Sequence, residues 1–547
     1  MRLDSNADAQ YGSLGGMLET QAARLGDQLA VADCRRRLTY AELNEAVGVA
    51  GRAALAHGLL RGDRFAVWAP NSVEWVVATL GCVSVGGILV PVSTRLKSIE
   101  AADILRRSRP RLVFATGDFL GSNYVSLLSD MELSSPAPTV IDIRPSRAPE
   151  PGSFAAFLDT ATTVSTEAHQ RATSEVTSDD IADMLFTSGT TGFPKGVLAA
   201  HSQVLRGSDL YFQSIGVREG DRVLCINPLF HAFGYKGALL GSLLRGASVY
   251  FEETFDADRA LELIETERIS VLPAPPTVFS DLIAHPSRHR TDLSSLRAAA
   301  TGGTMVPPAL VRSIGSELGC ETITTAYGQT EAPTIVCMTT DDRPEDISEW
   351  AGRALPGLEV RVVDDAGRPV ATGEPGEILA RGFIVMKGYF EDEEATAKTI
   401  DADGWLHTGD VGVFRDDGLL KITDRKKDMF IVGGLNVYPA EVEAIMSADP
   451  RIAELAIVGT SDERLGEVGA AFVVPAAGER LGPDDVIAIA RERVANYKVP
   501  RYAEIVTNLP RNAAGKVVKV GLRARAAAMS GAAAESAADD THSTPRD

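Results

Sequence analysis

What limits this chain most is the way helical and strand patterns alternate along it. "TYAELNEAVGVAGRAALAHG" reads as a helix and is followed by the strand "RFAVWA"; "WVVATLGCVS" reads as a second helix, followed by "GILVPV". From Ile181, "IADMLFTSGTTG" is a strand running into a glycine turn. "DRVLCINP", "GASVYFEE" and "ISVLPAPP" are further strands, and helices such as "ADRALELIETER" fill the gaps. Strands separated by helices in this rhythm pair in parallel with the helices laid on their faces, so the chain is expected to be layered α/β.

At 547 residues the chain exceeds what one core usually holds, so a large domain with a smaller one is expected. Composition changes after about Trp350, where "GLEVRVVDDAGRPVATGEPGEILARG" is strand-turn-strand material, a β-rich subdomain closing the large domain. The charged cluster "DRKKD" then precedes a compact βαβ-like stretch. The expected boundaries are a large domain over 1–423, a connector at 424–428, a small α+β domain over 429–522 and a disordered tail over 523–547. The Ala/Ser/Asp-rich tail shows no apolar face to bury, so a frayed helix running into disorder is expected there.

One uncharged run, Trp75 to Val92, approaches membrane-spanning length, but Gly86, Gly87 and Pro91 break it, which favours a core helix and a strand. The polar start lacks the pattern of a secretion signal. The five cysteines are scattered without zinc or disulfide spacing, so a reducing cytoplasm is expected. With 54 Lys+Arg against 74 Asp+Glu, the net charge of −20 argues against a chain that grips nucleic acid through its overall field. An anionic ligand would have to be held locally.

"FTSGTTGFPKG" is a candidate for that task. It fails the Walker pattern, because Gly189-Thr190-Thr191-Gly192-Phe193-Pro194-Lys195-Gly196 lacks four residues between its glycines and a following Gly-Lys-Ser/Thr. That disfavours a simple nucleotide hydrolase. Glycine-freed amides, hydroxyls and one lysine suit phosphate oxygens; a plain surface turn has the same composition. The loop by itself leaves both readings open.

The loop is followed in order by "LFHAFGY", "AYGQTEA", "GEILARG", "HTGD", "DRKKDMFIVGGLNVYPAEVE" and "PRNAAGKV". This series, spanning most of the chain, resembles the adenylate-forming superfamily, which includes acyl-CoA synthetases, firefly luciferase and the adenylation domains of peptide synthetases. The resemblance implies a large adenylation domain, a small mobile C-terminal domain, ATP and coenzyme A as co-substrates, and Mg²⁺ as cofactor. The first reaction would join a carboxylate to the α-phosphorus of ATP and release pyrophosphate. The nucleophile is already ionised, with a reference pKa near ~4, so the obstacle is charge repulsion, and positioning plus oriented positive groups must overcome it.

By resemblance, Thr187, Ser188, Gly189, Thr190, Thr191, Gly192 and Lys195 would cradle the β- and γ-phosphates. Thr330 and Glu331 would sit by the α-phosphate, with Glu331, assisted by Thr190, holding Mg²⁺. Ala326, Tyr327, Gly328, Gly302 and Gly303 would accommodate adenine. Asp410 would accept from the ribose hydroxyls, and Arg425 would hold the ribose or α-phosphate. Lys516 would be the catalytic lysine of adenylation; as an isolated residue it reads as a solvated lysine. Lys427 would be the hinge about which the small domain turns, and Gly433 and Gly434 would leave room for pantetheine in a second, thioester-forming reaction.

The acid pocket is assigned to His231, Phe233, Gly234, Tyr235, Gly302 and Gly328, with His231 at its gate. Its aromatic and glycine content suits an apolar acid. "PVSTRLKSIEAADILRRSRPRLVFATGDFLG" and "LFHAFGYKG" also look similar to actinobacterial ligases that activate polycyclic acids such as the propionate side chains of degraded steroids. A terpenoid or steroid-like acid is expected, a fatty acid next. Alternatives left open are adenylation with transfer to a carrier protein or second ligase, a luciferase-type oxidation, and a non-catalytic nucleotide binder. Homodimerisation is left open too.

Overall fold

A computed structural model describes residues 3–133, 136–144, 150–187, 194–302, 306–426, 428–432, 435–462, 465–512 and 515–540, with the backbone alone at 344, 425, 435–436 and 531–540. The chain divides into two compact units, one of residues 1–360 and 380–406, the other of 361–379 and 407–547.

The first unit has the layered α/β architecture read from the alternation. Helix Tyr40–Ala56 starts at a capping box, where Thr39 Oγ1 accepts from Glu42 N and Glu42 returns a bond to Thr39 N. Helix Val73–Ser84 is capped by Ser72 and buried on every side, which accounts for its uninterrupted apolar sequence. Its twelve residues are too few to span a bilayer. Among the described residues no helix is long and apolar enough to cross a membrane.

Among the described residues this unit carries a seven-stranded and a nine-stranded sheet. In the first, Ile88–Pro91, Arg64–Trp68, Leu112–Ala115 and Thr139–Asp142 run parallel. Ile181–Thr187 joins them in parallel, and Lys195–Ala200 then folds back antiparallel to it. In the second, Arg222–Cys225, Val271–Pro273, Ala298–Gly302 and Thr322–Gln329 are parallel neighbours, and Ala332–Cys337 closes an antiparallel hairpin.

The second unit contains most of a four-stranded sheet ordered Leu358–Val363, Gly376–Gly382, Leu406–Phe414, Leu420–Arg425. The division therefore does not fall at the expected 423/424 boundary: the β-rich segments 361–379 and 407–423 group with the C-terminal residues. Local bonds explain this. Asp424 accepts from Ala440 N at the start of helix Pro439–Met446, Lys426 pairs with Asp365 and Glu377, and Asp428 pairs with Arg523. The charged cluster, where its side chains are described, is thus bonded into its own unit. The expected βαβ feature is present as Gly466–Pro475, helix Pro483–Arg493 and Tyr502–Ile505, whose strands are parallel.

The segment from 523 is helical, as expected, but it does have an apolar face to bury. Helix Lys519–Asp540 continues through it, with Leu522 and Ala526 buried against Ala456, Val458 and Phe472, and Met529 packed alongside. These three recur at i, i+4 and i+7, a helical stripe that the alanine-rich composition hides.

Candidate active site

Strands Ile181–Thr187 and Lys195–Ala200 pair so that Thr187 lies opposite Lys195. Both ends of the glycine loop are thereby fixed in register, while Ser188, Gly189, Thr190, Thr191 and Gly192 lie outside the described residues, as do Gly303, Lys427, Gly433 and Gly434.

Thr330 and Glu331 form the tip of the hairpin between Thr322–Gln329 and Ala332–Cys337, where Gln329 pairs with Ala332. A two-residue connection is the tightest common hairpin turn, and it presents both side chains at the end of the sheet. Glu331 is held twice: its carbonyl accepts from Met386 N at 2.8 Å, and its Oε1 accepts from the Tyr389 hydroxyl at 2.7 Å. Burial, and then the Glu331 carboxylate, push the Tyr389 phenol well above its ordinary pKa, so it remains a donor. The ammonium of Lys195 lies 4.8 Å from the centroid of the same tyrosine ring. Lys195 and Glu331 are therefore brought to one place by a residue the sequence reading did not single out. Its available signal was the Gly-Tyr pair of "VMKGYF".

Gly302 ends strand Ala298–Gly302 opposite Ala326, and a Cβ there would stand 3.2 Å from the Ala326 carbonyl. Tyr327 is half-buried on the neighbouring strand. At Gly328 a Cβ would stand 2.3 Å from the Pro333 carbonyl, so the hairpin's own irregularity demands that glycine.

"FGYKGALLG" forms a π-helix, Phe233–Gly241. π-Helical turns are rare and concentrate at functional sites. His231 Nδ1 accepts from Phe233 N at 3.2 Å. His231 is exposed and Phe233 half-buried, packed edge-on to Tyr211. A Cβ at Gly234 would stand 2.3 Å from the Pro228 carbonyl, so glycine permits the close approach of the preceding loop. Tyr235 differs from expectation: it is 0% exposed, its ring 5.8 Å from that of Trp75, and it belongs to the core beneath the pocket residues. The π-helical winding turns it inward.

The same winding buries Lys236, whose Nζ pairs with Asp183 Oδ1 at 2.9 Å. Burial raises the Asp183 pKa and Lys236 opposes the rise. Each is a lone charge in an apolar element, "IADMLF" and "GYKGALLG", a signal the sequence reading passed over.

The remaining expected residues belong to the second unit. Asp410 is buried on strand Leu406–Phe414 opposite Arg425, whose backbone alone is described. Its amide donates to Thr408 Oγ1, Thr408 donates to the Ile378 carbonyl, and Gly409 at φ 68° makes the bend that a side chain would disfavour. Lys516 is exposed on a turn closed by Asn512: the Lys516 amide donates to Asn512 Oδ1, Asn512 N donates back to the Lys516 carbonyl, and Gly515 takes φ 79°.

Glu331 suits Mg²⁺, since this ion usually takes one or two carboxylates and completes its shell with phosphate oxygens and water. The half-buried carboxylate at a turn tip, with one oxygen fixed by Tyr389, meets that requirement.

Comparison with known proteins matches residues 18–390 to the family described as AMP-binding enzyme and 441–516 to the AMP-binding enzyme C-terminal domain. The chain is 45% identical over 513 residues to the 3-[(3aS,4S,7aS)-7a-methyl-1,5-dioxo-octahydro-1H-inden-4-yl]propanoyl:CoA ligase of Rhodococcus jostii (strain RHA1), covering 92% of this chain and 97% of that protein. It is 45% identical over 510 residues to the protein of the same description from Mycobacterium tuberculosis (strain ATCC 25618 / H37Rv), with coverage of 92% and 97%. Among solved structures it is similar to the anthranilate CoA ligase AuaEII in complex with anthranoyl-AMP, with a TM-score of 0.84, 26% identity and coverage of 96% and 100%.

Proposed function

We propose that this chain, which belongs to the AMP-binding enzyme family, is an AMP-forming acid:CoA ligase for a bulky, fused-ring carboxylic acid. The observation that carries the reading is the meeting of Lys195, Tyr389 and Glu331 at one hairpin tip, within the region that matches the family. A cation for the outgoing phosphates and a carboxylate for their metal are what an attack by one anion on another requires.

In the first half-reaction an acid oxygen bonds to the α-phosphorus, the bond to the bridging oxygen breaks and pyrophosphate leaves. Lys195 would steady the β- and γ-phosphates, and Glu331 would hold Mg²⁺. When bound, the ion supplies neutralising charge to phosphate oxygens. Asp410 would take the ribose hydroxyls and Lys516 would offset charge at the α-phosphate. In the second half-reaction the thiol sulfur of coenzyme A bonds to the acyl carbon, the thiol proton passes to solvent and AMP leaves. We assign the pivot between half-reactions to Lys427 and the pantetheine passage to Gly433 and Gly434.

Phe233 and Gly234 on the π-helix, His231 just before it, and Gly302 and Gly328 are assigned to the acid. The names of the two 45%-identical relatives support a ring-fused propanoate with ketone groups. The five cysteines are all free, four of them buried, which supports a reducing cytoplasm.

The test measures pyrophosphate release and thioester formation with ATP, Mg²⁺ and coenzyme A, comparing an indane- or steroid-type propanoate with a straight-chain acid. The ring-fused acid is expected to have the higher kcat/KM. Pyrophosphate release without any thioester product would move the reading to adenylation with another acceptor, and no release with any acid would end it.

A further inference from the structure

We propose that Tyr389 is a positioning residue for the metal–nucleotide site, holding the Glu331 carboxylate through its hydroxyl and the Lys195 ammonium against its ring. The inference rests on the reading of Glu331 and Lys195 as ATP-site residues.

The tyrosine is itself firmly placed. Strand Gly388–Tyr389 pairs antiparallel with Lys195–Ala200, setting Tyr389 opposite Val197. Its amide donates to Thr396 Oγ1 at 2.9 Å, and the next amide, of Phe390, donates to the Gly196 carbonyl at 2.7 Å. The ring is 9% exposed and packed with Val197, Met386 and Ala395. From that position the hydroxyl reaches Glu331 Oε1 at 2.7 Å while the ring face lies 4.8 Å from Lys195 Nζ.

The arrangement has a chemical consequence. Lys195 and Glu331 carry opposite charges and share one neighbour, yet they form no ion pair with each other. A direct pair would neutralise both groups and would have to break when phosphate and metal arrive. The tyrosine offers each a weaker, directional partner, a hydrogen bond for the carboxylate and a π face for the ammonium, so both charges remain available to the ligand. A hydroxyl that binds one carboxylate oxygen also fixes the rotation of the other, and preorganised charge needs no rearrangement when the transition state forms.

The test uses the full-length chain and three variants, Tyr389→Phe, Tyr389→Leu and Glu331→Gln. Calorimetry follows binding of the non-hydrolysable analogue α,β-methylene-ATP at a series of Mg²⁺ concentrations, and thermal unfolding is recorded for each protein. Tyr389→Phe keeps the ring and removes the hydroxyl. Its Mg²⁺-dependent nucleotide affinity is expected to fall about tenfold, the scale of one hydrogen bond to a charged group, with an unchanged KM for the acid. Tyr389→Leu also removes the π face and is expected to lose a further factor of about three, including at low Mg²⁺.

Wild-type Mg²⁺ dependence in Tyr389→Phe, with Glu331→Gln strongly impaired, overturns the positioning role and leaves the ATP-site reading standing. Wild-type dependence in Glu331→Gln removes the reading of Glu331, and the inference with it. A Tyr389→Phe protein that fails to fold marks the hydroxyl as a structural bond and also overturns the proposal.

Discussion

Lys516 stands on a turn held by its amide to Asn512 Oδ1, by Asn512 N to its carbonyl and by the Arg511 guanidinium, which donates to the Gly515 carbonyl, three bonds that do not use the lysine ammonium. Lys516→Ala is therefore expected to unfold at the wild-type temperature while losing roughly 10² to 10³ in the rate of acyl-adenylate formation, the scale of one electrostatic contact to a transition state. Pyrophosphate–ATP exchange reads this directly, and exchange at the wild-type rate would remove Lys516 from the chemistry. Lys236 behaves in the opposite way. Its charge is buried against Asp183, so Lys236→Met strands a carboxylate in the core and is expected to cost about 3–5 kcal/mol, more than the double change with Asp183→Asn. Denaturant unfolding of both variants checks the order. Glu252 supplies a pH dependence. Both of its carboxylate oxygens are buried without a hydrogen-bond partner among the described residues, and burial lifts its pKa from 4.5 to about 7. The folded chain keeps a proton that the unfolded chain releases, so the stability this proton provides is complete below pH 4.5 and is lost as pH rises to about 7. The loss should reach roughly 3 kcal/mol. Unfolding midpoints at pH 5 and pH 8 should fall less in Glu252→Gln than in wild type, and equal falls would remove Glu252 as the source.

At the scale of elements, the π-helix Phe233–Gly241 carries the pocket side chains on an uncommon winding that Gly234 permits by letting the Pro228 carbonyl come close. Gly234→Ala would push a methyl group into that carbonyl, and the chain can relieve the clash only by shifting the π-helix. The expected result is a rise of about tenfold or more in KM for the acid, with nucleotide affinity within a factor of about two, since a displacement near 1 Å can cost on that order. Steady-state kinetics with each substrate varied separately distinguish this from general damage, which would weaken both. The same element shows where the sequence was readable and where it was not. Helix Val73–Ser84 and strand Ile88–Pro91 were legible because an apolar run broken by Gly86-Gly87 admits few other readings. The π-helical winding was not, because its extra residue per turn leaves no periodicity in so short and uniformly apolar a run, and so Tyr235 was placed on the pocket wall when it lies in the core. The packing of helix Lys519–Asp540 was hidden for a related reason, since alanine and small residues mask the stripe of Leu522, Ala526 and Met529. Tyr389 escaped notice because its partners Glu331 and Lys195 are far from it in sequence, and only strand pairing brings them together.

Across the whole molecule, the residues assigned to the chemistry divide between the two compact units. Lys195, Glu331, Tyr327 and the π-helix belong to the first, and Asp410 and Lys516 to the second. In the proposed sequence of reactions Lys516 would serve the adenylation step, and Gly433 and Gly434 the passage of coenzyme A. The pivot proposed at Lys427 should be separable from the catalytic groups by mutation. Proline at 427 would fix φ near −65° and remove an amide donor, restricting the backbone change that a pivot must absorb. Lys427→Pro is expected to retain pyrophosphate–ATP exchange within a factor of about three, while thioester formation from a supplied acyl-adenylate falls by about tenfold or more. Lys516→Ala is expected to show the reverse, losing exchange while converting supplied acyl-adenylate to thioester at close to the wild-type rate. Burst measurements of pyrophosphate and thioester in the same reaction separate the half-reactions. If Lys427→Pro lowers both equally, the pivot does not lie at 427, and the hinge must be sought at the strands where the two units meet in sequence, near 360, 380 and 406.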